Sequence, residues 1–249
     1  MAMAWAETGA YRAIVRALGD LLSPLACAAC DEPLEASALA LERAFCDRCE
    51  LALSECDPAE CATCGLPAPE HGLCRSCRVR LRPLTAAHCT FLYEGPLADA
   101  LHRLKYRGRD ELMGRVAERW AATLPLPRNL LLDRPLIVPV PLHPRRLRER
   151  GFDQAWILAR ALARRTGLEA ASRLLMRVRD TRAQVGLGRE ERQANVAGAF
   201  AADPRVAGRT VLLVDDVLTT GATLHAAAEA LGAAGAGPIV ALTAARALE

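Results

Sequence analysis

The stretch VLLVDDVLTTGATL (residues 211–224) sets two adjacent carboxylates, Asp215 and Asp216, between an apolar run and a cluster of threonines around a glycine. Neighbouring carboxylates repel one another, so the pair is useful only beside hydrogen-bond donors or a cation. The pattern predicts a strand over 211–214, a loop over 215–221 and a helix from about 222. In a parallel sheet, ligands bind beyond the carboxyl ends of strands, where loops lead into helices. Backbone N–H groups at the helix start, with the hydroxyls of Thr219, Thr220 and Thr223 close by, form a cradle for a phosphate. Gly221 lets the backbone approach it. The carboxylates would repel that phosphate and suit sugar hydroxyls or a magnesium shell instead. A sugar phosphate carries both ends. An ATPase strand also ends in acidic residues but needs G-x-x-x-x-G-K-[ST]. The only lysine of the chain, Lys105, follows Leu104, so that loop is excluded, and no G-x-G-x-x-G signals a dinucleotide fold.

A second chemistry lies upstream. Of ten cysteines, eight form four C-x-x-C units: Cys27/Cys30, Cys46/Cys49, Cys61/Cys64 and Cys74/Cys77. Two intervening residues let both thiolates of a tight turn reach one tetrahedral zinc ion, so four units supply two structural sites. Pairing first with second and third with fourth is the simpler arrangement; interleaved pairing is open. A redox motif would be a single C-x-x-C beside a βαβ pattern, and a disulfide module would need a secretory signal. The segment is short of large apolar residues, so metal binding would supply most of its folding free energy. Cys56 and Cys89 stand outside the pattern and receive no role.

The elements that must position these residues follow from texture. At 249 residues and 52% hydrophobic, the chain can hold a sizeable core plus a smaller module, and its net charge of +3 announces no nucleic-acid binder. No apolar run approaches the ~20 residues that span a bilayer, so no membrane insertion and a cytoplasmic location are expected. YRAIVRALGDLLSP (11–24) reads as a short amphipathic helix rather than a signal peptide. Strand patterns at 89–93, 136–142, 173–179, 210–215 and 239–245 alternate with helix patterns at 97–108, 152–167 and 222–236. That alternation argues for an α/β fold with a parallel sheet and helices on both faces. The expected division is a cysteine module over 1–84 and an α/β domain over 85–249. Arg145, Arg146, Arg148 and Arg150 put four guanidiniums in six positions. Their forks suit pyrophosphate oxygens, and a solvated helix face would read the same way.

The 211–224 stretch resembles the phosphoribosyl-pyrophosphate (PRPP) signature of type I phosphoribosyltransferases. VPVPLHPRRLRERGFDQA (138–155), TRAQVGLGREERQANVAGAF (181–200), FLYEGPLADALHRLKYRGR (91–109) and the doubled cysteine knuckles extend the likeness. Over most of residues 24–246 the chain resembles the ComF family of competence-associated proteins, with Asp153 where many members carry asparagine. The resemblance implies a type I phosphoribosyltransferase-like sheet preceded by a double zinc ribbon. It implies that Asp215 and Asp216 hold the ribose hydroxyls as the catalytic pair, and that Leu218, Thr219, Thr220, Gly221, Ala222 and Thr223 grip the 5′-phosphate. A loop beginning near PVPLHPRR would take the pyrophosphate, and a flap carrying Thr181, Gln184, Arg192 and Asn195 would cover the site. Lys105 falls in the family's LK-aromatic-x-G motif, where it faces phosphates or stands as a surface helix residue. The implied reaction is displacement of magnesium pyrophosphate from PRPP by an unknown acceptor, with Mg2+ bound mostly by the ligand. The rival implication is a PRPP-responsive scaffold for single-stranded DNA or competence proteins.

Overall fold

The computed structural model describes residues 26–34, 43–63, 68, 72–107, 110–124, 126, 130–131, 133–181 and 188–247. The expected N-terminal helix, Cys64 and Gln184 lie outside the described residues. Two short helices, α1 (Asp47–Leu51) and α2 (Arg75–Arg80), each begin just after a cysteine. They are followed by β1 (Leu84–Leu92), α3 (Gly95–Arg107), α4 (Asp110–Thr123), β2 (Leu136–Pro139), α5 (Pro144–Arg150) and α6 (Gln154–Thr166). The chain continues through β3 (Leu175–Arg177), α7 (Arg189–Val196), β4 (Phe200–Ala202), β5 (Val211–Leu218), α8 (Ala222–Ala233) and β6 (Ile239–Arg246).

Four strands form one sheet in the order β1–β6–β5–β2, every pair parallel. β3 and β4 pair separately as an antiparallel ribbon, with Met176 opposite Ala201. The sheet is covered on both faces, which is why its strands read as continuous apolar runs rather than alternating ones. Leu212 and Val214 face a core shared with α3, α4 and α6, including Leu101, Met113, Trp120 and Leu158. Val211 and Leu213 face the opposite core, built with Leu224, Ala228 and Leu231 of α8 and Leu175 and Phe200 of the ribbon. Burying a single leucine contributes about 1.5–3 kcal/mol, so these two layers hold the sheet rigid under the loops at its carboxyl end.

Three elements depart from the expectation. β5 runs on to Leu218, so the aspartates lie on the strand and the loop shrinks to 219–221. The cause is β6, whose Thr243, Ala245 and Arg246 continue the ladder opposite Asp215, Val217 and Leu218. α4 was not anticipated, although Met113, Val116, Ala117 and Trp120 are spaced for one helical face and all are buried. The polar segment before β5 holds α7, whose Val196 is anchored in the second core.

Candidate functional site

A cleft of about 330 Å3 opens at the carboxyl ends of β2 and β5. Its acidic wall is Asp215 and Asp216. The period-2 alternation of β5 breaks across the pair, because Val214 and Val217, three apart, both pack on the first core. The break lets both carboxylates line one cleft. Each also receives the next backbone N–H: Asp216 N donates to Asp215 Oδ1 at 2.9 Å, and Val217 N to Asp216 Oδ1 at 2.8 Å. Beyond them Gly221 turns the chain at φ 81°, a left-handed conformation that costs a residue with a Cβ roughly 1–2 kcal/mol. α8 then starts at Gly221 without a side-chain cap from the N-cap residue. Leu218, Thr219, Gly221, Ala222 and Thr223 line this end. Thr220 is buried outside the cleft lining, and its hydroxyl accepts from Ala222 N at 3.4 Å.

The basic wall comes from two elements. The structure divides the arginine run of α5: Arg146 and Arg150, one turn apart, line the cleft, whereas Arg145 pairs with Glu149 and Arg148 is exposed. Arg146 Nη2 donates to the Thr181 carbonyl at 2.7 Å, and Arg150 Nη1 to Gln154 Oε1 at 3.1 Å. From the ribbon and α7 come Arg177 and Arg192, each with a buried Nε that has no hydrogen-bond partner among the described residues. Arg177 stacks over Phe200 at 5.4 Å and donates to the Thr181 hydroxyl. Burial and the neighbouring Arg146 charge lower its pKa, while the charge of Asp215 opposes them. Asn195 lies on α7 and offers its carbonyl to Arg179. Lys105 lies in α3.

Sequence reasoning singled out neither Arg177 nor Tyr93 as site residues, yet both line the cleft. Strand alternation could have flagged Arg177, which shares a face with buried Leu175. Asp153 is a further cleft residue, noted in the sequence only as a departure from the family's asparagine. It caps α6, accepting from Trp156 N at 3.1 Å and from Leu142 N at 3.3 Å. Burial holds its carboxyl above the usual range despite those N–H groups, and the Asp216 charge adds to the effect. The carboxylate pair, the hydroxyl-lined helix start and the four guanidiniums line one cleft and together can hold a ligand that carries both hydroxyls and phosphates.

The cysteines gather as two clusters. The sulfurs of Cys27, Cys30, Cys46 and Cys49 all lie within 4.8 Å of one another, and so do those of Cys61, Cys74 and Cys77. Cys64 lies outside the described residues. Four thiolates at about 2.3 Å from a tetrahedral ion stand about 3.8 Å apart, and Cys30 Sγ and Cys46 Sγ are separated by 3.7 Å. Both clusters could therefore bind zinc, and the pairing is sequential. Cys89 is separate: its thiol meets the Thr243 hydroxyl at 2.7 Å, and burial pushes its pKa to about 12.

The fold is of the phosphoribosyltransferase type, and residues 154–247 match the family model described as "Phosphoribosyl transferase domain". The chain is 35% identical over 181 residues to a DNA utilization protein YhgH of Salmonella typhi, covering 69% of this chain and 77% of that protein. It is 33% identical over 197 residues to the protein of that name in Escherichia coli K12, covering 75% and 83%. Competence protein ComFC of Bacillus subtilis is 30% identical over 193 residues, covering 75% and 77%. The chain belongs to the ComF family of competence-associated proteins.

Proposed function

We propose that the chain binds PRPP and transfers its phosphoribosyl group to an acceptor in DNA-uptake metabolism, releasing pyrophosphate. The observation that supports this reading is the two-ended cleft, in which a carboxylate pair and a hydroxyl-lined helix start follow one another on a single strand and loop. The 5′-phosphate lies against Thr219, Gly221, Ala222 and Thr223, and the ribose 2′- and 3′-hydroxyls donate to Asp215 and Asp216. Arg146, Arg150, Arg177 and Arg192 neutralise the pyrophosphate. The acceptor's nucleophilic atom bonds the anomeric carbon as the bond to pyrophosphate oxygen breaks, and its proton leaves to solvent. The protein contributes orientation, charge stabilisation and exclusion of water. Magnesium suits the hard oxygens of Asp215 and Asp216 and of the diphosphate, and when bound it offsets the negative charge of the leaving group. Zinc held by Cys27, Cys30, Cys46 and Cys49, and by Cys61, Cys74 and Cys77 together with Cys64, would be structural, because protein thiolates would fill its coordination.

The names of the relatives, "DNA utilization" and "competence", favour a second reading: a PRPP-responsive scaffold that handles single-stranded DNA or protein partners. Titration calorimetry with PRPP and Mg2+, followed by a panel of purine, pyrimidine and amine acceptors, separates the two. Pyrophosphate release with any acceptor supports the enzyme. Tight PRPP binding without release, together with salt-sensitive binding of single strands, supports the scaffold. Absence of PRPP binding would remove both.

A further inference from the structure

The two cysteine clusters are attached to different parts of the α/β domain. The first is bonded to the helical face: Arg103 Nη1 donates to the Ala29 carbonyl, Arg115 to the carbonyls of Arg43 and Ala26, and Arg119 pairs with Glu50. The second reaches the loop after β5. Leu81, 3% exposed, caps α2 through its N–H to the Cys77 carbonyl at 2.8 Å. Its Cδ2 stands 2.9 Å from where a Cβ on Gly221 would lie. On the other side, buried Arg246 donates to the Cys61 carbonyl at 2.8 Å and to Glu60 Oε2 at 2.9 Å. Arg246 is the register partner of Leu218, where the loop begins, and Ala247 N donates to the Leu218 carbonyl at 2.9 Å. Cys61, Leu73, Cys77 and Leu81 share one apolar core with Leu218, Ala222 and Leu224.

From this asymmetry we infer that the second cysteine cluster clamps the loop at 218–223, with Leu81 and Arg246 as the positioning residues that transmit its order, while the first cluster does not act on that loop. Leu81 fills the floor beneath Gly221, and Arg246 pins the end of the β5–β6 ladder to a cysteine knuckle. Loss of the second metal frees both contacts and loosens the loop, so occupancy of that zinc site sets phosphate affinity without any zinc–ligand contact. The consequence for affinity rests on reading 218–223 as a phosphate loop; the mechanical coupling does not.

Amide hydrogen exchange on the zinc-loaded full chain tests the coupling. Cys74→Ser should lower the zinc content by about one per chain and speed exchange in peptides over 215–224 by about tenfold or more, as expected for a local opening. Cys30→Ser should also lower zinc by about one per chain but speed exchange in α3 and α4 while sparing 215–224. Leu81→Ala leaves every metal ligand in place; zinc content should hold, loop exchange should rise several-fold, and ribose 5-phosphate should bind about tenfold more weakly. Unchanged protection of 215–224 in Cys74→Ser and Leu81→Ala overturns the clamp, and so does equal loss across all peptides in both cysteine variants. If the parent chain binds no ribose 5-phosphate, the functional reading falls, and the exchange pattern still decides the clamp.

Discussion

Asp215 and Asp216 are the residues whose chemistry is most exposed to test. A hydrogen bond to a charged group contributes about 1.5–3 kcal/mol, so Asp215→Asn or Asp216→Asn should each weaken PRPP about 10- to 100-fold in a calorimetric titration. An unchanged affinity would take the ribose away from these carboxylates. The arginines give a sharper contrast, because Arg177 lines the cleft and Arg148 stands in solvent. Arg177→Lys keeps the charge but loses the guanidinium held over Phe200 and should weaken PRPP about tenfold, whereas Arg148→Ala should shift it less than about twofold. Asp153 titrates in the opposite sense from a salt-bridged carboxylate. Its raised folded-state pKa means that its contribution to stability is full below the ordinary carboxylate range and lost as pH rises through the raised value. The melting temperature of Asp153→Asn, relative to the parent, should therefore climb as pH rises above the ordinary carboxylate range; a flat difference would contradict the burial argument. The paired aspartates were legible because adjacent carboxylates after an apolar strand are hard to explain otherwise. Arg177 was legible only as a position sharing a strand face with Leu175; that this face turns toward the cleft depends on the fold.

At the scale of elements, the loop between β5 and α8 depends on one backbone conformation. Gly221→Ala places a Cβ in left-handed φ and against Leu81, and should cost about 1–2 kcal/mol of stability in denaturant titration. Under the proposed phosphate reading, affinity should fall as well, since Gly221, Ala222 and Thr223 line the cleft at this turn. The loop's composition was readable from threonine and glycine, but its length was not. β5 is four residues longer than expected because β6 extends beside it, and strand ends are set by ladder partners distant in sequence. α5 shows the same limit. Its arginines, read in order, are equivalent; wound into a helix, Arg146 and Arg150 share the inner face while Arg145 meets Glu149.

The whole molecule joins two cysteine clusters to one doubly covered sheet. Elemental analysis of reduced protein should find about two zinc ions per chain, and strong chelation should lower the thermal midpoint, because structural zinc contributes folding free energy directly. A zinc content near zero, or chelation without effect, would leave the clusters as plain thiols. Among the described residues no helix is long and apolar enough to cross a membrane. By itself the sequence determined the local chemistry: the four C-x-x-C units, the carboxylate pair, the hydroxyl-rich helix start and the alternation that builds a parallel sheet. These are short-range properties, in which spacing along the chain is also spacing in space. Only the tertiary structure decided which cysteines meet, which arginines line the cleft with the carboxylates, and that the second cluster reaches Gly221 through Leu81 while the first lies against α3 and α4. Those contacts join residues as far apart as Cys61 and Arg246, and burial on a shared sheet, which no local pattern encodes, is what brings them together.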